Sequence, residues 1–139
     1  MKKIVYILGA IVSLTACRKQ DATPTTPGMG MVDTAAVLKY SGSFVNGPYG
    51  SVSGGADVYL QNGQYVLKLQ GVTISNGPDL HVYLSKEMQP VNFIDLGRLQ
   101  STNGNQVYTI TGSPDFTQYK YALIHCQRFN HLFGSALLQ

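Results

Sequence analysis

The chain has no tryptophan, only two cysteines, and few charges: Asp, Glu, Lys and Arg together make 12% of its 139 residues. Two cysteines cannot build the dense disulfide framework of a small secreted scaffold. Neither stands in a C-x-x-C pair or a C-x-x-C-H run, which excludes the usual zinc spacing and covalent haem attachment. A helical bilayer span needs about 20 apolar residues, and the apolar stretch from Ile4 to Leu14 is too short for one. A basic stripe is also missing. The formal charge of +3 falls to +1 without Lys2 and Lys3, ten basic residues becoming eight against seven acidic, so nucleic acid is discounted as a partner.

What is present begins with the N-terminus. Met1-Lys2-Lys3, the apolar run and then Leu14-Thr15-Ala16-Cys17 follow the order of a secretory signal peptide. Small residues before a cysteine resemble the lipobox of bacterial lipoproteins, which implies removal of residues 1–16 and acylation of Cys17. One acyl chain holds a protein marginally and two or more hold it stably. The expected location is therefore the bacterial cell envelope, with the lipid bilayer as partner through Cys17. Arg18 stands where an aspartate would favour the inner membrane, which points to the outer one.

Residues 17–38 are rich in Pro, Thr, Gly and Ala without sustained apolar period and read as a flexible tether. Met29 and Met31 could pair as soft thioether ligands for Cu(I), although no further soft ligand lies nearby and chance composition explains them as well.

Residues 39–139 suffice for one domain with its own core. Asn46-Gly47, Asn62-Gly63, Asn76-Gly77 and Asn103-Gly104 are four signals for tight turns with positive φ. Between them, "ADVYLQ" sets Ala56, Val58 and Leu60 against Asp57, Tyr59 and Gln61. "QYVLKLQ" sets Tyr65, Leu67 and Leu69 against Val66 and Lys68, and "DLHVYLS" sets Leu80, Val82 and Leu84 inward. With "QVYTITG" and "YKYALIHCQRF" as later strands and no capped amphipathic helix, the spacing predicts an all-β domain. It has about eight short antiparallel strands, in a sandwich or a small barrel.

If Cys17 carries lipid, Cys126 has no disulfide partner within the mature chain. It is then buried, liganded or used. Burial is the plain possibility: free cysteine packs as a small hydrophobe, and Cys126 shares strand parity with Ala122 and Ile124. For ligation, His81, Met88, His125 and His131 with Cys126 make up the ligand types of a copper site. Against it, adjacent His125 and Cys126 point to opposite faces of a regular strand, unless a bulge near Arg128 to His131 realigns them. For use, Cys126 would be a nucleophile with His81, His125 or His131 as base. No oxyanion hole or orienting group is recognisable, and Asp57, Asp79, Asp95 and Asp115 mostly neighbour turn residues. The pattern does not point to a classical enzyme.

The segments "NGPDLHVYLS", "DLGRLQSTNGNQVYTI" and "YALIHCQRFNHLFGSALL", in this order, resemble the electron-transfer DM-thirteen family, found also in animal Skeletor proteins. The resemblance covers about residues 39–139. It implies a β-rich extracytoplasmic domain whose hallmark cysteine, Cys126 here, acts in redox chemistry as a free thiol or by holding a prosthetic group such as haem. Before that cysteine His125 replaces the Trp or other apolar residue common in the family. The expected function is electron transfer by a membrane-anchored lipoprotein with an unidentified redox or protein partner, with haem or copper as conceivable cofactors. The alternative is a non-enzymatic binding or structural β-module with Cys126 as inert core filler.

Overall fold

The computed structural model describes residues 31–139, so the signal segment, Cys17, Met29 and most of the tether lie outside the described residues. Eight strands follow in order: β1 (Val37–Asn46), β2 (Val52–Gln61), β3 (Gln64–Ile74), β4 (Leu80–Ser85), β5 (Phe93–Arg98), β6 (Asn103–Thr109), β7 (Tyr121–Cys126) and β8 (His131–Leu137). All pairings are antiparallel, in one sheet ordered β5-β4-β7-β8-β1-β2-β3-β6. The domain is all-β, a nearly closed barrel-like sheet.

β1 makes the curvature. Its first part, Val37 to Ser43, pairs with β2, and Phe44 to Asn46 pair with β8, with a register shift between Leu38 and Tyr40. Such irregularities bend a strand and let one sheet fold around its own core. The two edge strands β5 and β6 approach each other through the Leu99–Thr102 link. Leu99 N–H donates to the Leu80 carbonyl at 2.8 Å and Ile74 N–H to that of Thr102 at 2.8 Å. Buried Gln106 and Tyr108 complete the seam. Gln106 Nε2 donates to the Ser101 carbonyl, Tyr108 Oη donates to Gln106 Oε1 at 2.6 Å, and Gln100 N–H donates to Tyr108 Oη at 2.9 Å. Burial pushes the Tyr108 phenol above its usual pKa range. Two polar side chains are tolerated there because each has partners.

The interior core collects the period-two residues: Ala56, Val58, Leu67, Leu69, Leu80, Val82, Leu84, Ala122, Ile124 and Cys126 among them. β4 and β7 depart from the one buried and one wetter face that alternation predicts. β4 and β7 are buried on both faces, because Tyr83, Leu123 and Leu132 form a second, outer cluster with Tyr121 packed against it. Val66, set opposite Leu67 and Leu69, is also buried.

The Asn-Gly pairs divide. Only Asn62-Gly63 is a tight hairpin, with φ of 50° and 74° joining β2 to β3. Asn103-Gly104 lies inside β6. Gly77 is needed for space rather than for φ: a Cβ there would come within 2.8 Å of the Phe133 ring and 2.9 Å of Leu80. Asn-Gly thus marks close backbone packing as well as turns.

Candidate functional site

β4 and β7 run side by side with Leu80 opposite Cys126, His81 opposite His125 and Tyr83 opposite Leu123. Pleating therefore sends Cys126 inward and His81, Tyr83 and His125 to the outer face. Cys126 is 1% exposed and packs in the interior core. It is the last residue of β7, and the four residues after it, Gln127 to Asn130, form an exposed turn. That turn is held by Gln127 N–H donating to the Asp79 carbonyl at 3.0 Å and by a long bond, 3.4 Å, from Asn130 N–H to the Gln127 carbonyl. No disulfide engages Cys126 among the described residues.

The expected ligand residues separate. His131 is the cross-strand neighbour of Cys126, yet its ring lies flat on Tyr49, with centroids 3.7 Å apart and planes 2° apart. Met88 is 50% exposed in the loop between β4 and β5. His81 lies between two carboxylates: Nδ1 is 3.1 Å from both Asp95 oxygens, and Nε2 is 3.3 Å from Asp79 Oδ1. Asp79 Oδ1 is also 3.2 Å from Arg98, but neither contact is a well-directed hydrogen bond. With Arg98 largely exposed this pairing contributes under about 1 kcal/mol.

His125 is different. It is 3% exposed, its Nε2 donates to Asn130 Oδ1 at 3.0 Å, and its Nδ1 is buried without a partner. Burial pulls its pKa below the usual histidine range, the hydrogen bond it donates to Asn130 working the other way and His131 and His81 lowering it further. The register shift in β7 against β8 lies between Ile124 and His125. It does not bring His125 and Cys126 to one face. Tyr83 packs at 5.4 Å from the His125 ring and stacks on Phe93 at 4.2 Å with planes 19° apart. Its phenol is raised by burial, with the Gln127 side chain pulling the other way through a hydrogen bond. Gln127 Nε2 in turn donates to Asp95 Oδ2 at 2.9 Å.

The described residues do not fit a haem or copper centre on Cys126. Its sulfur is enclosed by core side chains, and the pockets of about 240, 260 and 390 Å³ are lined by other residues. No group of three or more His, Cys, Asp or Glu comes together to hold a metal among the described residues. Alternation sets His81 opposite Leu80, Val82 and Leu84 and His125 opposite Cys126, as observed, whereas Asp79 and Asp95, expected as turn residues, are the carboxylates that flank His81. Asp79 was within reach, since it shares strand parity with His81 two residues on. Asp95 was not, because it meets His81 only through the shifted β4 to β5 register.

A family model described as electron transfer DM13 matches residues 43–138, more than half of the chain. No curated protein matches, and no solved structure matches.

Proposed function

The chain belongs to the electron transfer DM13 family, and from that membership we propose a redox domain held at the bacterial cell envelope, with the Cys126 thiol as its redox centre. The observation that carries the proposal is the family match over residues 43–138, together with Cys126 as the cysteine of that region. Since no prosthetic group fits around Cys126, the sulfur itself exchanges the electrons. Its co-reactant is a disulfide, of a small molecule or of a partner protein. Cys126 gives up its proton and attacks one sulfur of that disulfide. An S–S bond forms to Cys126 as the original S–S bond breaks, and the other sulfur leaves as thiolate and takes up a proton. Access comes by fraying of the turn that follows Cys126, where the bond from Asn130 N–H is long. The lipid on Cys17 and the tether after it would keep this chemistry near the membrane, with the outer membrane as its site.

Burial favours one rival: at 1% exposure among apolar neighbours, Cys126 also suits a binding or structural module with an inert thiol. Titrating the folded protein through glutathione redox buffers, with intact mass as readout, separates the two. The redox proposal expects a mixed disulfide at Cys126 in a single transition without denaturant. Modification only after unfolding in urea would establish the rival. Anchoring is tested apart from this: Cys17→Ala should abolish fatty-acid labelling and release the protein to the soluble fraction, and unchanged labelling would refute it.

A further inference from the structure

Three strands end around the thiol. Cys126 closes β7, its neighbour Leu80 opens β4 and its other neighbour His131 opens β8. Cys126 is therefore the last paired residue of its strand, and fraying of that end frees it from the sheet. The bonds that fasten the end run to the turn beyond it, and no core side chain makes any of them.

Gln127, the residue after the thiol, carries two of these bonds. Its N–H donates to the Asp79 carbonyl at 3.0 Å and its Nε2 to Asp95 Oδ2 at 2.9 Å. At the far side of the turn His125 Nε2 donates to Asn130 Oδ1 at 3.0 Å. Asp95 is the firm end of this set. Gly97 N–H donates to its Oδ1 at 2.8 Å, and His81 Nδ1 lies 3.1 Å from both its oxygens. Gly97, at φ of 115° beside the register shift between β4 and β5, gives β5 the bend that brings these groups together. The other ring nitrogen of His81 faces Asp79, which Arg98 also flanks at 3.2 Å. One imidazole thus ties together the two acidic residues to which Gln127 is bonded.

We propose that Gln127 and Asp95, with His81 holding Asp95 in place, form a latch that gates Cys126. The thiol is exposed by local opening of the turn and the end of β7, to an extent set by the bond between Gln127 and Asp95 and not by unfolding of the barrel. This rests on the reading of Cys126 as the reacting thiol and names what regulates access to it. Gln127 and Asp95 are positioning residues, acting on that access.

The test is alkylation of Cys126 in the folded full chain by iodoacetamide, read by mass on the peptide that carries it. The rate, kept proportional to reagent concentration, is divided by that of the urea-unfolded chain at the same pH, so that the ratio reports how often the thiol is open. Gln127→Ala should raise this ratio about three- to tenfold, the worth of one hydrogen bond. It should have no effect in an Asp95→Ala background. Gly63→Ala, in a hairpin whose strands do not pair with β7, should lower the urea midpoint without changing the ratio. Should Asp95→Ala not fold, the two other variants decide. An unchanged ratio in Gln127→Ala, a ratio in Gly63→Ala that rises in step with its lost stability, or no alkylation before unfolding would overturn the latch. Iodoacetamide involves no disulfide, so a thiol that is gated in this way yet forms no mixed disulfide with glutathione would support the latch and refute the redox reading alone.

Discussion

Replacing Cys126 tests its environment before it tests its chemistry. The thiol is 1% exposed and sits in a core with Leu80, Ile124 and Phe133. Cys126→Ala removes one sulfur, comparable to a buried methylene with a small residual cavity, and should cost about 1 kcal/mol. Cys126→Ser removes the same packing and adds a hydroxyl with no polar partner in the core, a further penalty of about 1–3 kcal/mol. Serine should therefore be the worse substitution although it is closer to cysteine in shape. For a domain near 100 residues each kcal/mol lowers Tm by about 4–8 °C, so the two variants should separate clearly. Urea unfolding under reductant measures it as a lower midpoint at unchanged slope. A serine variant as stable as the alanine variant would refute an apolar setting for the sulfur. The alanine variant is then the control to use in redox work, because its loss of function would not be confounded with partial unfolding.

The remaining predictions concern the outer face and the turns. Because burial lowers the pKa of His125, the unfolded chain binds its proton first as pH falls. Stability should be full above the ordinary histidine pKa of about 6.5 and decline below it until the depressed folded pKa is reached, by no more than about 1.4 kcal/mol per pH unit for one proton. Urea midpoints between pH 7 and 5 measure the decline, and a His125→Phe variant should lose it; an identical slope in that variant would place the titration elsewhere. Gly63→Ala, at φ of 74° with open space around it, should cost about 1–2 kcal/mol from backbone strain alone. Gly77→Ala should destabilise through the Phe133 ring instead, so shortening that ring with Phe133→Leu should partly rescue it.

The strands were legible because alternation is local. Ala56 and Val58, Leu67 and Leu69, and Leu80, Val82 and Leu84 all lie in the interior core, as their spacing predicts. The second buried face of β4 and β7 was not, because Tyr83 and Leu123 are covered by residues distant in sequence and on their own read as a wetter face. For the same reason barrel and sandwich could not be told apart: the answer lies in β1 changing partners between Ser43 and Phe44, a register event without a residue signature. At the site, the opposed faces of His125 and Cys126 followed from pleating alone. The stacking of His131 on Tyr49 and the grip of Asp95 on His81 depend on loop geometry and strand register.

Whether Cys126 exchanges electrons is decided by mediated coulometry on the folded protein after oxidation by glutathione disulfide, beside Cys126→Ala. The wild-type protein should take up one electron pair per chain with release of glutathione, and the alanine variant none. Equal uptake by both proteins, or none by either, would contradict it.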